Sequence, residues 1–394
     1  MTNPIAKEEI TYFATTDYRH QMIPFGIRHK DRRAHMYVLG KTGTGKSTLL
    51  ETLIRQDLSK GRGLALLDPH GDLVEKVLSE VPEERRADLI YFDATNAEHP
   101  LGFNPLESVA AKYRPLAASG LLSVFQHIWA DSWGPRLEHI LRNTLLALLE
   151  QPSATLGDIP RLLDDRAFQK QAVAQVSNEQ VRNFWLKEYA GYPARFRAEA
   201  VAPLQNKVGA FIANPLIHRI VAQERSAFRM RKVMDEGKIL LVNLAKGKIG
   251  ADTSALLGAL LVSRMGLAAL SRADQPEEER HDFYLYLDEF HSFTTLSLAG
   301  MLSELRKYRL NLILAHQYLG QLDERLLAAI LGNAGTIISF RIGPQDAEII
   351  AQEFAPEFSA TDLVSLPNYH IYLKLMIGGR VSHPFSAVTL PPPR

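Results

Sequence analysis

The chain has 394 residues, 46% of them hydrophobic and 23% charged, with 45 Lys+Arg against 44 Asp+Glu and no Cys. The length suits two or three domains, and the composition excludes disordered, collagenous and fibrous classes. Without Cys there is no disulfide scaffold, no Cys-ligated zinc and no thiol nucleophile, and a net charge of +1 gives no whole-chain sign of a polyanionic partner.

Residues 1–10 lack a basic-then-apolar signal, and residues 10–27, with Tyr12, Phe13, Tyr18 and Phe25, read as short strands and turns. A short apolar strand at 35–39 leads into a Gly-rich stretch, and 46–60 has helical periodicity through Leu49, Leu50, Leu53, Ile54 and Leu58. Buried strands follow at 63–67 and 89–92, with a helix between them. From Asn104 to Asp235 the apolar spacing is helical almost throughout, as in Leu137, Ile140, Leu141, Leu145 and Leu148 after Pro135. Strands resume at 238–243, 282–287, 311–315, 336–340 and 369–376, with helices between them. The most apolar long window, 253–271, contains Arg264 and reads as a buried helix, so no integral membrane segment is expected. Alternating strands and helices give an α/β fold with a mainly parallel sheet, interrupted by an all-helical insert. The expected division is a β-rich N-terminal segment (1–35) packing on a core (36–103 and 236–394), with an inserted all-α domain (104–235).

The stretch Gly40-Lys-Thr-Gly-Thr-Gly-Lys-Ser47 matches the P-loop pattern at every fixed position, between a strand and a helix. Its glycines let successive N–H groups point at phosphate oxygens, and the helix starting near Lys46 adds its N-terminal dipole. Gly40, Lys41, Thr42, Gly43, Thr44, Gly45, Lys46, Ser47 and Thr48 are therefore the candidate binders of ATP. Lys46 would bridge the β- and γ-phosphates and Ser47 would ligate Mg²⁺. The strand 282–287 ends in Asp288 and Glu289. Asp288 would hold the cation through water and Glu289 would act as general base toward water, which favours hydrolysis. The gap from Lys46 to Asp288 far exceeds the ~30 residues of a βαβ unit, and the helical insert accounts for much of it.

Gln317, after the strand at 311–315, is a candidate γ-phosphate sensor. Arg341, ending the strand at 336–340, and Arg306, late in the preceding helix, are candidate arginine fingers reaching a neighbouring subunit's nucleotide. Asp68 either faces the γ-phosphate or forms a turn before Pro69. Candidate polyanion contacts are Lys246 and Lys248, the group Arg28, His29, Lys30, Arg32 and Arg33, and the pair Arg195 and Arg197. Trp129 and Trp133 read as helical-domain core.

An ordered set of motifs carries a resemblance over about residues 10–391: the P-loop, Asp68-Pro-His-Gly-Asp72, Phe103-Asn-Pro105, Asp288-Glu-Phe290, Arg306-Lys-Tyr308, Ala315-His-Gln317 and Phe340-Arg-Ile-Gly343. It resembles the HerA–FtsK superfamily of P-loop motors, and within it the TraG/TraD-type coupling proteins of type IV secretion and conjugation. The resemblance implies a RecA-like core with an all-helical domain, a homo-hexameric ring, and ATP-driven movement of DNA through its pore. Partners so implied are DNA, a type IV secretion channel and a relaxase nucleoprotein. Two departures stand out: this chain shows no N-terminal membrane helices, and His291 follows Asp-Glu-Phe where relatives commonly have Gln. A cytoplasmic location, with any membrane attachment borrowed from partners, is the expectation. A HerA-like motor for DNA-end processing or antiphage defence, and a nucleotide-gated adaptor that recruits substrates without pumping DNA, remain open alternatives. The charge is unevenly divided: residues 104–235 hold 17 Lys+Arg and 12 Asp+Glu, so the near-zero total averages a basic helical insert with an acidic remainder.

Overall fold

The computed structural model describes residues 9–17, 21–107 and 109–392; residues 1–8 and Tyr18 lie outside them. The strands are β1 (Ile10–Thr16), β2 (Pro24–Arg28), β3 (Met36–Leu39), β4 (Gly63–Asp68), β5 (Leu89–Asp93), β6 (Ile239–Asn243), β7 (Phe283–Leu287), β8 (Leu310–His316), β9 (Thr336–Ser339), β10 (His370–Lys374), β11 (Met376–Ile377), β12 (Arg380–Val381) and β13 (Phe385–Thr389). Eleven of them form one sheet in the order β2-β1-β13-β10-β9-β3-β8-β7-β4-β6-β5. From β9 to β5 every pairing is parallel; β10, β13, β1 and β2 extend the sheet antiparallel. β13 has no counterpart in the sequence reading, which ends its strands at 376. Its partners are β1 and β10, at opposite ends of the chain, so only the tertiary fold shows what its alternating residues pack on.

Successive residues of the buried parallel strands supply two different cores. Met36, Val38, Leu64, Leu66, Tyr284 and Tyr286 pack under the helices α1 (Lys46–Ser59) and α2 (Asp72–Ser79). Tyr37, Leu39, Ala65, Leu67, Leu285 and Leu287 face the other way, into a core continuous with the helical region. That region contains α3 (Arg114–Ile128), α4 (Pro135–Leu148), α5 (Asp158–Asp164), α6 (Arg166–Ala174), α7 (Glu179–Asn183), α8 (Ala194–Ala213), α9 (Pro215–Val221) and α10 (Met230–Asp235). A π-helical stretch, Phe184–Tyr189, follows α7. The chain leaves and re-enters the sheet layer side by side. Phe103 N–H donates to Ile220 O (2.8 Å), Ala227 N–H to Gly102 O (2.9 Å), and Phe103 and Phe228 stack. Trp129 stacks on Phe125 within this core.

The turn α11 (Lys246–Ile249) carries the candidate polyanion contacts Lys246 and Lys248 on a short helix. It leads into α12 (Ala251–Ser271). The apolar segment Ala251–Asp274 is long enough to cross a membrane, but 72% of its most apolar window is buried inside the fold, against α3, α10 and α13 (Leu296–Leu305). The remaining helices, α14 (Glu324–Asn333), α15 (Pro344–Phe354) and α16 (Ala360–Ser365), flank β9 and β10.

Three of the five basic residues before β3, His29, Arg32 and Arg33, are engaged in ion pairs within the fold, where they were candidate polyanion contacts. Arg32 is fully buried and forms a paired contact with Asp57 of α1, Nη1 to Oδ1 at 2.6 Å and Nη2 to Oδ2 at 2.9 Å. Its Nη2 also donates to the Tyr286 hydroxyl of β7 (2.7 Å), and the guanidinium lies over the Tyr284 ring. Arg62 adds a second cation to Asp57 at 2.9 Å. His29 and Arg33 are bound to Asp282. Arg197 is likewise turned onto the backbone carbonyls of Tyr189 and Tyr192, while Arg195 pairs with Glu199 at the surface. Burial pushes the Asp57 carboxyl up, but Arg32 and Arg62 outweigh it and hold it below its ordinary value. Truncating one partner of such a pair leaves the other charge buried and unmatched. Asp57→Ala is expected to destabilise the fold by about 3–5 kcal/mol, measured by urea unfolding at pH 7. Because the folded carboxyl is the more acidic one, this stabilisation is complete above its ordinary value of 3.8 and fades as pH falls through the folded value. The gap between wild type and Asp57→Ala should therefore narrow in acid; a gap that widens, or a loss under ~1 kcal/mol at pH 7, contradicts the clamp.

Candidate nucleotide site

Three parallel strands end at one edge of the sheet and carry the site, β7 two residues short of β3 and β8. Leu39 of β3 lies opposite His316 of β8, and Leu287 of β7 opposite Leu314. The P-loop follows β3, Gln317 follows β8, and Asp288 and Glu289 follow β7. Because β8 runs between β3 and β7, Gln317 is placed between the P-loop and the two acids.

The P-loop folds through its own backbone and that of its neighbours. Gly40 N–H donates to His316 O (3.3 Å), Lys41 N–H to Arg341 O (2.9 Å), and Tyr369 N–H to Thr44 O (2.8 Å). The Thr44 hydroxyl donates to Lys41 O (2.7 Å). Gly45 has φ 124°, and a Cβ there would stand 2.9 Å from both Phe340 and Tyr369, so only glycine fits. Lys41, Thr42, Gly43 and Ser47 are exposed, Thr48 is half-buried, and Thr44, Gly45 and Lys46 are buried. The Lys46 ammonium donates to Gly40 O (2.5 Å) and Lys41 O (3.2 Å). Burial lowers its pKa, while Glu289 and Asp288 act to raise it.

Asp288 and Glu289 are 6% and 5% exposed. Burial, Asp68 and Glu289 push Asp288 up to about 7, against the opposing pull of Lys46. Such a carboxyl is poised to bind a cation, which would restore its charge. Among the described residues no group of three or more His, Asp or Glu could hold a metal ion. Glu289 leaves the strand in the left-handed region (φ 47°, ψ 48°), uncommon for a side chain of its size, and opens the turn Phe290–Ser292. Its Oε1 accepts from Gln317 Nε2 at 2.7 Å. Lys46, Asp288, Glu289 and Gln317 are thus brought together.

The other candidates are engaged differently. Asp68 accepts from the N–H groups of His70, Leu73 and Val74, all within 3.2 Å, and so caps α2. Arg341 borders the P-loop, but its guanidinium donates to Leu366 O (3.0 Å) and Asn368 Oδ1 (2.9 Å) of its own chain. Arg306 sits just before β8, at the edge of the sheet opposite the P-loop, and is exposed. It makes no side-chain hydrogen bond among the described residues, and it borders two open clefts. Sequence reading noted His291 as a departure but gave it no part. Its ring lies beside Glu289 (Nδ1 to Oε2, 3.5 Å) and Gln321 (Nε2 to Nε2, 3.1 Å).

Comparison with known proteins bears on the fold and the family. No curated protein matches the sequence. The solved bacterial conjugative coupling protein TrwBdeltaN70 superposes with a TM-score of 0.66 at 16% identity, covering 94% of this chain and 87% of that one. The plasmid coupling protein TrwB in complex with ADP and Mg²⁺ gives 0.65 at 17% identity, covering 97% and 90%. VirB4 of Thermoanaerobacter pseudethanolicus gives 0.63 at 13% identity, covering 97% and 96%. At these identities the likeness is one of fold. The family of the type IV secretion-system coupling protein DNA-binding domain matches residues 17–366, most of the chain, and the chain belongs to that family.

Proposed function

We propose that the chain hydrolyses Mg-ATP and uses the energy to move DNA for type IV secretion. The observation that carries the reading is the convergence of Lys46, Asp288, Glu289 and Gln317 at three adjacent strand ends, with both acids buried. In this reading Lys46 exchanges the carbonyls of Gly40 and Lys41 for phosphate oxygens, giving its buried charge a stronger partner. Residues 40–48 cradle the phosphates with backbone N–H groups. Ser47 and Asp288 would hold Mg²⁺, which would neutralise charge developing on the phosphates. Glu289, aimed by Gln317, takes a proton from the attacking water. The TrwB structures solved with ADP and Mg²⁺ and with non-hydrolysable ATP and GTP analogues support a nucleotide with Mg²⁺ at this site.

The placement of the two arginines supports a ring. Arg341 is tied to its own chain, whereas Arg306 is exposed on the far edge from its own P-loop, open to a neighbouring subunit's nucleotide. We take the assembly to be a homo-hexamer, with residues 104–235 as an inserted domain that offers the basic surface to DNA. Any membrane attachment would come from partners such as a secretion channel.

Glu289→Gln is expected to lower ATP turnover by about 10²–10⁴-fold while nucleotide binding persists, and Lys46→Ala to lose nucleotide binding. Steady-state ATPase rates with and without single- and double-stranded DNA, beside a fluorescent-nucleotide titration, check both. Undiminished turnover in Glu289→Gln removes the assignment of the base, and binding without DNA-stimulated turnover in wild type selects an adaptor over a motor. Arg306→Ala is expected to cost about 10³-fold or more in turnover. Mixing it with Lys46→Ala should restore part of the rate, because mixed interfaces then combine one intact P-loop with one intact arginine. No recovery on mixing contradicts action across a subunit boundary.

A further inference from the structure

Glu289 has a second carboxylate oxygen for which Gln317 does not account. Oε2 is buried and makes no hydrogen bond within the described residues, and the same holds for Nδ1 of His291. The two unmatched atoms lie 3.5 Å apart, just outside hydrogen-bond range. A buried acceptor and a buried donor left unmatched cost free energy, and a small rotation of either side chain satisfies both.

Whether Nδ1 is a donor depends on which ring nitrogen carries the proton. Tyr318 N–H points at Gln321 Oε1 (3.4 Å), which sets the orientation of that amide. The Gln321 NH₂ group then faces His291 Nε2 at 3.1 Å, nearer than the Ser292 hydroxyl at 3.4 Å, which can donate as well, so Nε2 accepts. In the neutral ring the proton must therefore sit on Nδ1, toward Glu289. Burial keeps the ring below its ordinary pKa, aided by Lys246, His127 and His70 and opposed by Glu289, so the neutral form is the relevant one at pH 7.

We propose that His291 is a positioning residue: its Nδ1–H, fixed by Gln321, holds the second oxygen of Glu289, so that Gln317 and His291 together aim the base. The inference rests on the hydrolytic reading above. It does a job that the strand cannot, since Glu289 stands past the end of β7 on a left-handed residue with no ladder partner.

The test compares His291→Ala and His291→Asn in the full chain, with DNA present. Asparagine places an amide N–H near the position of Nδ1. His291→Ala is expected to lower kcat about 10- to 100-fold with KM for ATP unchanged, and His291→Asn to recover most of that loss. ¹⁵N chemical shifts of the His291 ring, assigned by its disappearance in His291→Asn, should show the neutral Nδ1–H form. An unchanged kcat in His291→Ala, a loss not recovered by Asn although both variants melt like wild type, or a neutral ring protonated on Nε2 each overturns the proposal. If wild type itself shows no turnover, the hydrolytic reading fails instead, and the ring's tautomer still tests the geometry.

Discussion

The structure depends on the order of three strands. With β8 lying between β3 and β7, the segments that follow them are fixed in one row: P-loop, Gln317, acidic pair. The parallel register sets their heights, because each strand crosses the sheet in the same direction and ends at the same edge. A P-loop on its own is a phosphate cradle. What gives this one the means for chemistry is a base delivered at the correct height by a strand two positions away. The same topology sends Arg306, which precedes β8, to the opposite edge.

The strand ends must also be kept from sliding, and the buried group around Asp57 does this. It joins α1, which starts at the P-loop, to Tyr286 on β7, two residues before Asp288, through Arg32 in the segment that leads into β3. Isolated buried charges are costly, but this carboxylate has two cations and a hydroxyl, which gives it the matching it requires. Polar clamping at the middle of the sheet therefore supports polar chemistry at its edge. Inside the site the balance differs. Asp288 has Asp68 and Glu289 as neighbours and only Lys46 against them, which leaves it short of positive charge until a cation arrives.

Much of this was legible in the sequence, for physical reasons. The P-loop pattern is tied to a backbone shape that needs its glycines, as Gly45 shows. Buried parallel strands read as apolar runs, and β4 and β7 were found that way. Their end residues, Asp288 and Glu289, were identifiable because a P-loop site needs an acid at the end of an apolar strand to hold the cation. Reading failed where meaning is set by a distant partner. Arg32 and Arg33 looked like a basic surface, yet they face Asp57 and Asp282, which the sequence alone cannot bring near. Asp68 had two readings; the N–H groups of His70, Leu73 and Val74 show its part in the turn, and its charge acts on Asp288 as well. β13 was missed because its pairing joins the two ends of the chain. His291 was visible as an unusual residue, but its relation to Gln321 arises in a turn after a different strand.

The central claim, that three strand ends make one hydrolytic site, is tested most directly by a structure with Mg²⁺ and a non-hydrolysable ATP analogue. The account predicts that the Lys46 ammonium leaves the carbonyls of Gly40 and Lys41 for the phosphates, and that Glu289, still held by Gln317, faces a water in line with the terminal phosphate. A nucleotide bound away from residues 40–48, or Glu289 turned from the phosphate with Gln317 released, would contradict it.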